Sequence, residues 1–253
     1  MTDSLYGDPF VYRMLFDGRE HDLRWYLDLA TQASGEILEI GVGTGRVALP
    51  LARAGHSVVG VDRSQAMLQS LAAELDRERV DVRSRLSSIC ADARSLDLGR
   101  RFALVLCPFN GLAHQLEDDD LTSLLAAVHR HLEPGGCLAF DVLAPDPVRL
   151  GGSCSSVPWL RHPRTGDVCR YDEELSYEPA TERVRIRMTI RFMQVEREPE
   201  ILTLELRQFF PAALERNLGK AGFEVVQQVD LGDSLGYLCA PVGAASWGRV
   251  LRR

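Results

Sequence analysis

The sequence predicts an α/β chain, an open and mostly parallel sheet of seven strands with helices on both faces, plus a small antiparallel β-sheet insertion. Three observations predict it. The apolar run Ile37–Ile40 passes straight into Gly41, Gly43 and Gly45 and then into a helical stretch, as at the start of a strand-turn-helix crossover. Phe102–Cys107 is a continuous apolar run of strand length, expected where helices cover both faces. From Arg183 to Phe192 polar and apolar residues alternate, the period of a strand with one buried face and one solvated face.

Taken in order, residues 1–18 show no clear period but carry Tyr6, Phe10, Tyr12 and Phe16. Leu23, Tyr26, Leu27 and Ala30 then recur at helical spacing, predicting an amphipathic helix from Glu20 to about Ala33. After the first strand, Arg46 to Ala54 reads as a crossover helix stopped by Gly55. Ser57 to Val61 is the second strand and ends in Asp62. Ser64 is a plausible N-cap for a helix running to about Asp76, and the polar stretch from Asp76 to Arg85 reads as a loop. A third strand ends at Cys90, and Phe102–Cys107 is the fourth. Asp118 to His131 is a helix with Leu121, Leu124, Leu125 and Val128 on its buried side, and its acidic first turn suits the dipole rather than a metal. Glu133–Gly136 is a tight turn into the strand Cys137–Leu143. From Ala144 to Arg164 prolines and glycines leave no period, and strands follow at Arg170–Tyr177, Arg183–Phe192 and Ile201–Phe209. Pro211–Lys220 is a short helix, and Phe223–Asp230 and Leu235–Ala240 are the last two strands.

The bulk numbers exclude several classes. At 253 residues the chain is long enough to bury a sizeable core, and 26% charged with 45% hydrophobic residues is ordinary for a globular protein. A net charge of -7 argues against nucleic acid as the main partner, since such binders carry a basic surplus. No apolar run has the length of a membrane span and the first residues do not form a leader, so the expected location is cytoplasmic, with no membrane partner. Six cysteines occur without a CxxC; Cys90, Cys107, Cys137 and Cys239 lie in apolar strand-like runs, where reduced buried thiols are expected and no metal site.

Four stations in the right order carry a family resemblance. They are Glu39-x-Gly41-x-Gly43-x-Gly45, then Val59-Gly60-Val61-Asp62 with Ser64, Met67 and Leu68, then Asp92, then His131-Leu132-Glu133-Pro134-Gly135-Gly136. On these residues the chain resembles the class I S-adenosylmethionine-dependent methyltransferases, closely over roughly residues 20–145 and loosely beyond. The resemblance implies a Rossmann-like sheet and S-adenosyl-L-methionine as cofactor. It makes residues 20–145 and 211–241 the cofactor-binding domain, with an N-terminal arm at 1–19, an inserted substrate-cover sheet at 146–210 and a tail at 242–253.

It also implies roles for residues. Glycines 41, 43 and 45 form a floor on which a ligand meets bare main chain. Glu39 precedes that floor, and Asp62 at the next strand tip suits two ribose hydroxyls. Thr44 and Arg46, in the first turn of the crossover helix, suit the carboxylate of the methionine moiety, with a solvated first-turn residue as the alternative for Arg46. Met67 borders the adenine or is core, and Asp92 either accepts the adenine amino group or caps a turn. Arg63, Ala93 and Pro108 adjoin the same strand ends, and Tyr6 joins the cofactor set if the arm closes the site rather than merely packing on the domain.

A bound sulfonium methyl is transferred by in-line displacement, so holding the acceptor close and dry is worth about 7–11 kcal/mol and little apparatus is required. His114 is the leading candidate for a general base, with loop ordering as its alternative; Asn110, Tyr6 and His21 are candidates for orienting the acceptor. The arginines of the 183–191 strand read as cross-strand partners of nearby glutamates rather than as a cationic wall. The function expected is methyl transfer to nitrogen or oxygen of a small molecule, by a monomer or homodimer. RNA or protein methylation and non-catalytic cofactor binding are the alternatives. An NAD-dependent oxidoreductase fits poorly, because the glycines run GxGxG and not GxGxxG.

Overall fold

The computed structural model describes residues 5–244; the predicted tail lies, from residue 245 on, outside the described residues. The first half of the chain runs α1 (Pro9–Phe16), α2 (Leu23–Ala30), β1 (Ile37–Ile40), α3 (Ala48–Arg53), β2 (Val58–Asp62), α4 (Gln65–Leu75) and α5 (Val80–Arg83). It continues through β3 (Leu86–Cys90), β4 (Phe102–Cys107), α6 (Asp118–His131) and β5 (Leu132–Leu143). Next come α7 (Pro147–Leu150), β6 (Ser153–Arg161), β7 (Val168–Glu178), β8 (Arg183–Phe192) and β9 (Glu200–Arg207). The chain closes with α8 (Pro211–Lys220), β10 (Phe223–Asp230) and β11 (Ser234–Pro241).

Seven strands form one sheet in the order β10-β11-β5-β4-β1-β2-β3, and β6-β7-β8-β9 form the second. The five strands from β5 to β3 pair in parallel, and β11 runs antiparallel to both of its neighbours. Alternate side chains of the central strands feed two cores. Leu38, Val105, Leu138 and Phe140 pack with Leu121, Leu124, Leu125 and Val128 of α6 and with Leu214 and Leu218 of α8. Ile37, Leu104, Leu106 and Ala139 pack on the other face with α2, α3 and α4, through Tyr26, Leu49, Leu51, Leu68 and Leu71. Burial on both faces explains the unbroken apolar runs, each large aliphatic contributing about 1.5–3 kcal/mol relative to exposure.

A third core joins the second sheet to the N-terminal arm. Leu5, Val11 and Tyr12 pack against Tyr171, Met188, Ile190 and Leu202. The opposite, charged face pairs across strands as expected, Arg191 with Asp172 at 3.2 Å and Arg185 with Glu205 at 3.3 Å. Arg183 bonds Glu117, and Arg207 bonds Asp118 at 2.6 Å, tying this sheet to the start of α6.

Several boundaries differ from the sequence reading. The arm contains α1, capped by Asp8, which accepts from Phe10 N and Val11 N. The helix α3 begins at Ala48 and not at Arg46, and the expected loop between α4 and β3 holds the short α5. The Glu133–Gly136 turn lies inside β5, where the register against β4 shifts. The Pro- and Gly-rich segment contains α7 and the edge strand β6, whose pairing with β7 shifts between Val157 and Leu160. Edge position and that irregularity accommodate a proline that a central strand would reject. Cys90 is exposed rather than buried, since β3 is the sheet edge, whereas Cys107, Cys137 and Cys239 are buried as expected.

Candidate active site

At the carboxyl edge of β1, β2 and β4 the chain leaves a cavity of about 1130 Å³ including its mouth. Glu39, Asp62 and Asp92 all line it, together with Tyr6, Gly41, Gly43, Thr44, Arg46, Arg63, Met67, Ala93, Pro108 and His114. Of the residues singled out in the sequence, Gly45, Asn110 and His21 are not among its lining. Gly45 (φ +88) serves packing: a Cβ there would come within 2.5 Å of Leu71 Cδ1. Gly41 (φ +72), by contrast, has open space where its Cβ would stand, so its bare main chain faces the cavity. Asn110 sits in a left-handed turn behind the lining, and His21 Nε2 is 2.8 Å from Asp233.

Local bonds fix the strand tips. Asp62 accepts from Gly43 N at 2.9 Å and Ser64 N at 2.8 Å, which locks the glycine turn to the end of β2. A carboxylate has about four acceptor sites, so capacity toward a ligand remains. Asp92 accepts from Arg94 N and from the Arg94 guanidinium, whose Nη1 bonds Asp120 at 2.6 Å. These bonds hold the Asp92 carboxyl below the usual carboxylate range. Asp92 is therefore a turn cap that also lines the cavity.

Arg46 is not a solvated residue. Its guanidinium grips Asp22 through two bonds of 2.7 Å and the Arg19 carbonyl at 3.0 Å, and Asp22 is fully buried. Three of its five N–H donors are thus engaged within the protein, while the side chain also lines the cavity. Glu39 is 1% exposed, and its Oε2 has no hydrogen-bond partner among the described residues. Burial pushes its carboxyl up to about 8, against the pull of Arg46 and with the push of Asp62 and Asp22.

The other end of the cavity is aromatic. Tyr6 OH lies 2.8 Å from His114 Nε2, and the Tyr6 carbonyl accepts from Ser64 Oγ at 2.7 Å. Burial lowers His114 to about 4, helped by Arg63, and burial raises the Tyr6 phenol, so both are neutral near pH 7. Tyr12 and Phe109 complete this end. Sequence reasoning missed these two as lining residues; the signals were the aromatic density of the arm and the position of Phe109 beside Pro108. Among the described residues none from 144–210 lines the cavity, because the arm lies between it and the second sheet. The second sheet therefore meets the cavity only through the arm. No cluster of three or more metal-ligating side chains occurs among the described residues, and no helix there is long and apolar enough to cross a membrane.

A strand-tip acid, a glycine turn with room above it and two further acids on adjoining strand ends match the resemblance read from the sequence. Residues 37–136 match the methyltransferase domain family, and the sheet they help to build is Rossmann-like. The cypemycin N-terminal methyltransferase of a Streptomyces species is 33% identical over 124 residues, covering 49% of this chain and 48% of that protein. The chain thus spans about half the length of the curated relatives it matches. The CcbJ methyltransferase from Streptomyces caelestis superposes with a TM-score of 0.74 at 25% identity, over 89% of this chain and 97% of that one. The fold is shared with S-adenosylmethionine-bound CalS10, an amino pentose methyltransferase from Micromonospora echinaspora, with a TM-score of 0.72 at 21% identity over 92% and 95% of the two chains.

The cavity fits this cofactor on its own terms. Glu39 offers a buried oxygen without a hydrogen-bond partner among the described residues, the kind of group that a ligand ammonium satisfies. The open space above Gly41 admits a ligand against main chain, and Asp62 and Asp92 supply acceptors further along the same wall.

Proposed function

We propose that the chain transfers a methyl group from S-adenosylmethionine to a nitrogen or oxygen atom of a small molecule. The observation that carries the reading is one cavity with three acids on neighbouring strand ends at one side and the Tyr6–His114 pair at the other. When bound, the cofactor supplies an electrophilic sulfonium methyl; the protein has only to bind, orient and exclude water.

In this reading Glu39 faces the ammonium, Asp62 the ribose hydroxyls and Asp92 the adenine amino group. Gly41 and Gly43 provide the floor, with Thr44, Arg63, Met67, Ala93 and Pro108 along the walls. Arg46 stiffens the floor through Asp22 instead of meeting the carboxylate. His114, neutral at physiological pH, accepts a hydrogen bond from the acceptor's N–H or O–H and aims its lone pair. A base lowered to about 4 is a weak proton sink, so orientation outweighs proton removal. Tyr6 yields its place on Nε2 as the acceptor arrives. An enclosed site behind an aromatic arm favours a small acceptor over RNA or a folded protein, and the name of one relative, an N-terminal methyltransferase, favours nitrogen. The cytoplasm and a monomer or homodimer remain the expected setting.

Calorimetry with S-adenosylmethionine, S-adenosylhomocysteine and NAD, combined with a methyl-release assay over amine and hydroxyl acceptors, tests the reading. Tight binding of both adenosyl compounds is expected, and His114→Gln should keep S-adenosylhomocysteine affinity within about twofold while slowing transfer about 10²-fold, the scale of a misplaced acceptor. Preference for NAD over S-adenosylhomocysteine would overturn the reading.

A further inference from the structure

His114 follows β4 by way of a turn in which two consecutive residues other than glycine, Phe109 (φ 53) and Asn110 (φ 61), are left-handed. Such residues persist only where their surroundings over-determine them. Gly111 then allows the chain to double back, since a Cβ there would stand 2.4 Å from Cys107 Sγ. The short turn Gly111–His114 follows, closed by Ala113 N to Asn110 O at 2.9 Å. The position of His114 is therefore set by what holds Phe109.

What holds Phe109 is a carboxylate on the neighbouring strand. Asp141 of β5 is fully buried, and its Oδ1 accepts from Phe109 N and from Tyr26 OH, both at 2.6 Å. The other oxygen, Oδ2, has no hydrogen-bond partner among the described residues, and the nearest cation, Arg19, is 3.9 Å away. Arg19 and Arg46 also lie over the Phe109 ring, at 4.8 and 5.4 Å from its centroid. A buried carboxylate with one oxygen unsatisfied is a poor stabiliser compared with an apolar residue of the same size. Its two short bonds make it an effective clamp.

We propose that Asp141 is a positioning residue: it pins the left-handed Phe109–Asn110 turn from the adjacent strand and thereby sets where His114 stands opposite Tyr6. This deepens the methyl-transfer reading and rests on His114 facing the acceptor. Both Phe109 and His114 line the cavity, so the clamp acts on the cofactor side and the acceptor side together.

The test uses the full chain with Asp141→Ala, Asp141→Leu, Asn110→Gly and the Asp141→Ala/Asn110→Gly pair. Imidazole NMR titration, with His114 assigned by difference from His114→Gln, and calorimetry with S-adenosylhomocysteine are the readouts. Both Asp141 variants should return His114 from about 4 toward the ordinary 6.5 as the turn relaxes into solvent. Both should also weaken S-adenosylhomocysteine by about tenfold, as expected for one charge-assisted bond. Asn110→Gly adopts positive φ without strain, so the pair should recover about threefold or more of that affinity. Tyr26→Phe removes a bond from the same oxygen but leaves Phe109 held, and His114 should titrate as in the parent protein. An unchanged His114 titration in folded Asp141→Ala or Asp141→Leu overturns the proposal. Failure of both variants to fold also overturns it, since Asp141 would then serve stability. The titration reports on the turn whether or not methyl transfer is detected, so the proposal and the functional reading fail separately.

Discussion

The floor and the roof of the cavity are built on different principles. The floor consists of strand tips and main chain: Gly41 and Gly43 expose backbone, and Asp62 locks the glycine turn to β2 with two bonds to backbone N–H groups. The roof consists of side chains, with Tyr6 and Tyr12 from the arm resting on the apolar face of the second sheet through Met188, Ile190 and Leu202. A floor made of main chain tolerates almost no change of residue. A roof made of packed side chains holds its shape through many alternative sets of apolar residues, and is the place where acceptor preference can vary.

Three measurements would break or sharpen this contrast. The largest effect is expected from Gly45→Val, which places a branched side chain at φ +88 and within 2.5 Å of Leu71. Overpacking and positive φ together should cost about 3 kcal/mol or more in denaturant unfolding. A loss under about 1 kcal/mol would mean that the packing beneath the floor yields as readily as the roof.

The second concerns Glu39. Its folded carboxyl titrates near 8 against 4.5 for the free group, so between those values the folded state holds a proton that the unfolded state has released. Stability of the ligand-free protein should therefore be greatest, as far as this group decides it, below pH 4.5 and be lost as pH rises through 8. The slope is at most about 1.4 kcal/mol per pH unit. His114 acts in the opposite sense in a lower window, since a value near 4 against 6.5 removes stability as pH falls from 6.5 through 4. Asp141, also raised by burial, acts in the same sense as Glu39, so in chemical denaturation from pH 6.5 to 8 the part of the fall that Glu39→Gln removes is the glutamate's. The same carboxyl predicts proton release when a cationic ligand binds, readable by calorimetry in buffers of different ionisation enthalpy.

The smallest effect is expected on the outer face of the roof. Arg185→Ala removes an exposed pair with Glu205 and should change unfolding by under about 1 kcal/mol, with S-adenosylhomocysteine affinity unaltered. A marked loss of affinity would show that the second sheet does more than support the arm.

Much of the floor was legible in the sequence because its signals are local. The bounds of β4, α6, α8 and β10 follow directly from apolar runs, the acidic first turn of α6 and the glycine after α8. Glu39, Asp62 and Asp92 lie at or next to the carboxyl ends of β1, β2 and β3, and strands in a parallel sheet end at the same edge. What stayed hidden depends on residues far apart in the chain. The partner of Arg46 is Asp22, on the other side of β1, and no spacing rule connects them. Gly45 looks like its neighbours in the motif, and only the approach of Leu71 assigns it to packing. The strand β6 lacks a period because it lies at an edge and its pairing shifts, and the arm's aromatics find their role only when the second sheet folds beneath them.

Tyr6 touches both ends of the cavity, its carbonyl held by Ser64 at the tip of β2 and its hydroxyl by His114 beyond β4. One residue is thereby a crossbar between two compartments. Each end rests on one hydrogen bond, so a group that takes either partner releases that end while the other stays tied.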